Sequence, residues 1–130
     1  MIHCRVVTPN GVYKEMDTTI LNVVSTDGQL GILPKHIPLV TMLKISEMTT
    51  VEEGNRESYA ISGGLLYFEN DVAMILVDSI ENKKDIDLNR AQAALHRAEE
   101  RLKSKSPDVD TLRAQAALMR ALNRVKVSGK

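Results

Sequence analysis

Apolar residues follow two different periods along this chain. From residue 1 to about residue 80 they come in short runs separated by turn residues. "CRVVTPNG" is an apolar run closed at Pro9-Asn10-Gly11. "TTILNVVSTDGQLGILP" alternates with period two around Ile20, Asn22 and Val24, turns at Asp27-Gly28 and returns as a strand. "SYAISGGLLYFENDVAMILVDS" divides into three strands at Gly63-Gly64 and Asn70-Asp71. Such pairs supply the positive φ that tight hairpins need. Strands this closely spaced, with no helical pattern between them, predict an antiparallel β-sandwich or barrel.

After residue 84 the period lengthens. Leu88, Ala91, Leu95, Ala98 and Leu102 recur at 3-4-3-4 spacing, the seam of a helix that packs on a partner. Asp87 is placed to cap this helix, "KSKSPDVD" to stop it, and Asp108 or Asp110 to cap a second helix. In that second helix Leu112, Ala116 and Met119, with Leu118, Leu122 and Val125, repeat the apolar pattern. The short connection makes the helices antiparallel neighbours. The predicted class is therefore α+β: an N-terminal antiparallel β-sandwich over residues 1–84, followed by an antiparallel two-helix hairpin over residues 85–130. A hairpin this short, with an alanine-rich seam, is marginal alone. It needs a docking surface or a ligand, which makes it a candidate moving part.

Charge sharpens the division. Residues 1–84 carry 7 basic and 11 acidic side chains, whereas residues 85–130 carry 10 and 6. The helical part thus suits an acidic partner or an anion. It has no aromatic side chain to stack on bases, which argues against nucleic acid. The single cysteine, Cys4, lies in an apolar strand pattern and is expected to be a buried thiol in a reducing compartment. A strand pattern directly after Met1 predicts no signal peptide, and runs such as "VAMILV" are too short to span a bilayer. The three histidines, His3, His36 and His96, have no nucleophile or metal-ligand pattern around them, so neither a catalytic centre nor a metal site is expected.

The arginines repeat. Arg90, Arg97 and Arg101 share one face of the first helix, and Arg113, Arg120 and Arg124 have the same offsets on the second. Folding the hairpin about residue 106 brings Arg90, Arg120 and Arg124 to one height, with Arg97 about 10 Å along the first helix. Guanidiniums fork onto phosphates, and the first helix's N-terminal N–H groups also favour an anion. Spacing alone equally allows solvated helix-forming arginines, or a basic face that grips an acidic protein surface.

"VVTP" (6–9), "GQLGILPKHIPLV" (28–40), "SGG" (62–64) and "IDLNRA" (86–91) resemble the epsilon subunits of bacterial rotary ATP synthases, and the likeness runs along nearly the whole chain. The resemblance implies a sandwich of about ten strands that joins the gamma subunit to the ring of c subunits. It implies a loop around Gln29 that faces the ring, and Thr8 and His36 facing gamma. Lys35 stands where the family often has Gly. "IDLNRA" is similar to the I/L-D-x-x-R-A motif of the epsilon subunits that bind ATP. By that likeness Glu81, Ile86, Asp87, Arg90, Ala91, Arg97, Arg120 and Arg124 would hold ATP as a regulatory ligand, with or without magnesium. No GxxxxGK(S/T) loop is present, so hydrolysis and a catalytic cofactor are not expected. The expected role is a non-catalytic stalk subunit at the cytoplasmic face of the membrane, a monomer when isolated. Its hairpin would fold around ATP. When extended, it would present Arg113, Arg120 and Lys126 to the beta and alpha subunits and inhibit ATP hydrolysis. The alternatives are the same subunit without useful ATP affinity and, from another class, a small enzyme or nucleic-acid adaptor.

Overall fold

A computed structural model describes residues 1–104 and 111–129. Eight strands precede two helices: β1 (Ile2–Thr8), β2 (Gly11–Thr18), β3 (Leu21–Ser25), β4 (Gly28–Ile32), β5 (Leu39–Glu52), β6 (Asn55–Glu69), β7 (Val72–Val77) and β8 (Ile80–Asn82), then a 3-10 turn (Lys83–Asp85), α1 (Leu88–Lys103) and α2 (Thr111–Ser128). Two compact units result, Met1–Lys83 and 84–130.

In the first unit the strands run in the order β2-β1-β7-β6-β5-β3-β4, with β8 added to β6. The sheet turns back on itself because β5 and β6, with 14 and 15 residues, are long enough to serve both layers. The first half of β6 pairs with β8 and its second half with β7. Strand alternation then fills the interior in rows. Cys4, Ala73 and Phe68 lie side by side on β1, β7 and β6, as do Val6, Ile75 and Leu66, and all six are buried. Leu21, Val23, Ile32, Met48, Tyr59 and Ile61 continue the same core. Each such aliphatic side chain contributes roughly 1.5–3 kcal/mol by leaving water. Cys4 is the buried thiol expected of it, and burial pushes its pKa up to about 12.

The sandwich departs from the sequence expectation in three ways. β1 and β7 pair in parallel, although an all-antiparallel sheet was predicted. They are far apart in sequence, so the intervening chain supplies the long crossover that parallel strands require. Gly63-Gly64 does not end a strand, and the described residues form eight strands rather than about ten. The glycines instead hold β6 in one piece, with φ of 96° and 153°. A Cβ on Gly64 would lie 2.0 Å from the Leu76 carbonyl oxygen, and one on Gly63 would lie 3.1 Å from that of Leu43. The absent side chains are what let β5 and β7 close on β6. The remaining turns match the sequence: Asn70 and Asp71, both at positive φ, make the two-residue hairpin between β6 and β7.

A polar network ties the free edge of the sheet to its middle. Lys14 on β2 pairs with Glu52 at the end of β5 (2.7 Å) and donates to the Tyr59 hydroxyl on β6 (3.0 Å). Tyr59 donates to the second Glu52 oxygen (2.6 Å), and Thr18 Oγ1 accepts from the Val51 N–H (2.8 Å). Burial pushes the Glu52 pKa up, but bonds from Lys14, Thr50 and Tyr59 outweigh it and hold the carboxyl below its ordinary value. Burial and the Glu52 carboxylate together raise the Tyr59 pKa to about 12.

In the second unit, the Asp87 side chain caps α1 by accepting from the Arg90 N–H (3.1 Å). The Ser104 N–H closes the helix on the Glu100 carbonyl (3.0 Å). Asp108 and Asp110, expected as caps of the second helix, lie outside the described residues. The helices pack on one another. Ala91 and Ala98 of α1 are buried as its spacing predicts, with Leu95 and Leu102 half-buried, but Leu88, expected to open the seam, is exposed in the first turn. On α2 the spacing misleads. Leu112 and Met119 are 80% and 55% exposed, and Leu122 is exposed as well, whereas Ala114, Ala121 and Val127 are buried. Alanines facing alanines let two backbones approach closely, and larger side chains are displaced to the flanks of such a seam.

Two outcomes follow from the sandwich. Gly64→Ala should cost about 3 kcal/mol or more in chemical denaturation, whereas Gly54→Ala, at a turn with φ +79° and open space around it, should cost about 1 kcal/mol. Equal, small losses would mean that β7 does not approach β6 this closely. Because the folded Glu52 pKa is depressed, its contribution is present above the ordinary value of 4.5 and lost as pH falls through the folded one. The melting temperature of wild type should therefore drop more steeply than that of Glu52→Gln between about pH 5 and pH 3. Parallel curves would remove Glu52 from the account.

Candidate ligand site and docking surfaces

On the sandwich, the partner-facing residues expected from sequence occupy three different settings. Thr8 ends β1 and shapes the following turn: its hydroxyl donates to the Gly11 carbonyl (3.3 Å) and accepts from the Asn10 N–H (3.2 Å). It lines an open cleft of about 390 Å³ with Asn10, Tyr13, Asp78 and Ser79. Gln29 is exposed but is not in a loop. It sits on β4 opposite Val24, because the turn ends at Gly28, whose φ of +127° starts the return strand. His36 is half-buried in the segment between β4 and β5. Its N–H donates to the Leu33 carbonyl (3.1 Å), Nδ1 donates to the Ile37 carbonyl (2.7 Å), and its ring meets Phe68 edge-on at 5.8 Å. Lys35 lies in the left-handed region at φ 71°, and its N–H donates to Asp71 Oδ1 (2.6 Å). That backbone is why glycine suits the position. Pinned in this way, the segment turns Leu33 and Ile37 out to solvent.

Sequence reasoning missed the outer face of the sheet. Met42, Leu65, Leu76, Val7 and Val12 lie in one row across β5, β6, β7, β1 and β2. Met42, Leu76 and Val12 are exposed, and Val40 and Tyr67 add to them from the neighbouring row. An apolar band of this kind on a sheet marks a contact surface. The only trace in the sequence is that "VAMILV" is apolar at every position, so one of its two faces must lack polar cover.

On the hairpin, Arg90, Arg97, Arg113 and Arg120 are exposed, and each directly precedes a buried alanine: Ala91, Ala98, Ala114 and Ala121. In an antiparallel pair, positions just before the seam lie on the same side of both helices. The four guanidiniums therefore share one face. Arg124 is half-buried, Lys126 is exposed, and Ile86 is half-buried before the Asp87 cap. Glu81 belongs to the first unit, on β8 opposite Ala60. α2 carries Arg113, Arg120 and Arg124 on this face, Lys126 on another side, and no acidic side chain. Among the described residues, no three His, Cys, Asp or Glu side chains are grouped to hold a metal ion. No described helix is long and apolar enough to cross a membrane.

The first unit is a sandwich with an apolar outer face, and the second is a two-helix hairpin with a basic face. Residues 1–83 match the family described as "ATP synthase, Delta/Epsilon chain, beta-sandwich domain", and residues 84–129 match "ATP synthase, Delta/Epsilon chain, long alpha-helix domain". The ATP synthase epsilon chain of Lactobacillus helveticus is 45% identical over 102 residues, covering 75% of this chain and 70% of that one. That of Bacillus subtilis is 43% identical over 105 residues, covering 81% and 80%. The chain belongs to the ATP synthase delta/epsilon family, as an epsilon-type, non-catalytic subunit. The fold is shared with a chain of the Euglena gracilis mitochondrial ATP synthase (TM-score 0.80, 21% identity, covering 94% of this chain and 78% of that one). It is shared also with a chain of the Tetrahymena thermophila ATP synthase central stalk and c-ring (TM-score 0.60, 17% identity, covering 98% and 93%).

Proposed function

We propose that this subunit stands in the central stalk at the cytoplasmic face of the membrane and regulates a proton- or sodium-driven synthase through its hairpin. The sandwich joins the gamma subunit to the c-ring. Thr8, His36 and the apolar sheet face meet gamma, and Gln29 meets the ring. The hairpin is the regulatory element. Folded, it holds ATP on Arg90, Arg97, Arg120 and Arg124, with Ile86, Asp87 and Ala91 shaping the start of α1. ATP that binds only this state shifts the population toward it. At low ATP the hairpin extends, and Arg113 and Lys126 engage acidic segments of the beta and alpha subunits. That contact blocks ATP hydrolysis by charge and bulk.

One observation supports this reading. Arg90, Arg97, Arg113 and Arg120 each precede a buried alanine and so stand on a single face of the hairpin, and α2 contributes no acidic side chain to it. An anion on such a face favours the closed hairpin. A second reading is favoured by the Asp87 carboxylate, which is already engaged with the Arg90 N–H. There Asp87 is only a cap, and the arginines serve only protein docking.

Calorimetric titration with ATP separates the two. A saturable tight phase of one equivalent, weakened at least about tenfold (1.4 kcal/mol) by Arg90→Ala, is expected. No heat and no thermal stabilisation up to millimolar ATP would leave only the docking role.

A further inference from the structure

Lys35 and Asp71 both hold a backbone conformation that glycine would hold more easily, and they hold it in contact with each other. Lys35 lies at φ 71° and Asp71 at φ 60°, and the Lys35 N–H donates to Asp71 Oδ1 at 2.6 Å. Each has a local reason to be glycine. Leu33-Pro34-Lys35-His36 is closed by the His36 N–H on the Leu33 carbonyl (3.1 Å), with proline second and a positive φ third, the pattern of a type II turn. Such a turn favours glycine at its third position. Asn70-Asp71 is the two-residue hairpin between β6 and β7, where asparagine followed by glycine is the favoured pair.

The bond between them accounts for the pair. The closing bond of the first turn uses the Leu33 carbonyl and the His36 N–H, which leaves the Lys35 N–H to find an acceptor outside the turn. The Asp71 side chain supplies that acceptor, and a hydrogen bond to a carboxylate is stronger than one between neutral groups. Glycine at 71 would ease the hairpin but could not reach Lys35. Asp71 thus works in two directions. Its carbonyl accepts from the His3 N–H on β1 (2.8 Å), so its main chain belongs to the sheet, while its side chain belongs to the segment between β4 and β5. The His36 ring, edge-on to Phe68 at 5.8 Å, anchors the end of the same turn. On either side of the turn Leu33 and Ile37 project into solvent, 57% and 73% exposed.

We propose that Asp71 is the positioning residue of this segment: its carboxylate sets the turn at Lys35 so that Leu33 and Ile37 stand out as a preformed apolar pair for the docking partner. It rests on the reading above that the segment around His36 meets gamma. Two aliphatic side chains on one short turn fit an apolar patch of that protein. Fixing them before contact lowers the ordering cost of binding. Asp71 gives up the easier turn at its own position and gains a fixed segment elsewhere. Glycine there should therefore loosen docking without loosening the sheet.

The test is the affinity of the full chain for the catalytic complex of the synthase depleted of this subunit, measured beside the melting temperature of the free chain. Asp71→Gly keeps the carbonyl that serves His3, suits the hairpin and removes only the carboxylate. It should melt within about 4 °C of wild type. Its Lys35 amide should exchange with solvent faster, and it should bind the complex about tenfold more weakly. Asp71→Asn keeps an acceptor oxygen and should recover most of the affinity. Lys35 exchange that is unchanged in Asp71→Gly overturns the proposal. So does a melting temperature that falls well beyond that range, which would make Asp71 a residue of the sheet. Wild-type affinity in Asp71→Gly, where Ile37→Ser binds weakly, overturns the proposal and leaves the docking of the segment standing. If neither Asp71→Gly nor Ile37→Ser changes the affinity, the segment does not meet gamma, and both fall.

Discussion

The seam between α1 and α2 is built from alanine, and the behaviour of the hairpin depends on that choice. A buried methyl contributes less than about 1 kcal/mol, so Ala91, Ala98, Ala114 and Ala121 together supply roughly 3 kcal/mol where leucines would supply two or three times as much. The close approach that alanines permit also brings exposed arginines on the two helices to one side of the seam. Like charges at that range oppose closure. A weak apolar seam beside a basic face gives the hairpin little stability of its own, and for that reason a counter-charge is proposed to set its state: an anion on the face for the closed hairpin, an acidic protein surface for the open one.

The first unit is the opposite case. Its core is large and aliphatic, its two longest strands belong to both layers, and the Lys14–Glu52–Tyr59 network fastens the edge strand β2 to β5 and β6. The glycines at 63 and 64 let three backbones close together without side chains between them. The division of labour follows from composition. The sandwich has a large aliphatic core, and the hairpin has a thin alanine seam.

Much of this was legible in the sequence. The switch of period near residue 84 separated sandwich from hairpin, Asp87 was readable as a cap, and the Asn70-Asp71 turn was readable from its residue types. The missed features share a cause: each depends on what lies opposite. Gly63-Gly64 reads as a strand end until β7 is found against it. Leu112, Met119 and Leu122 read as seam residues because they are larger than the alanines beside them, and only the alanine face of α1 makes them the wrong choice. The parallel β1–β7 pair has no local signature at all. The residues proposed to hold ATP came from resemblance to the family together with arginine spacing. The structure adds that each of four arginines precedes a buried alanine, which puts them on one face.

Amide hydrogen exchange along the full chain, with and without saturating ATP, tests the central claim most directly. If ATP holds the hairpin closed, amides in α1 and α2 should slow by a factor that grows in proportion to ATP concentration above its Kd, while the sandwich core, as internal reference, stays unchanged. Exchange in both helices that is indifferent to ATP, under conditions where calorimetry shows ATP bound, would contradict the account.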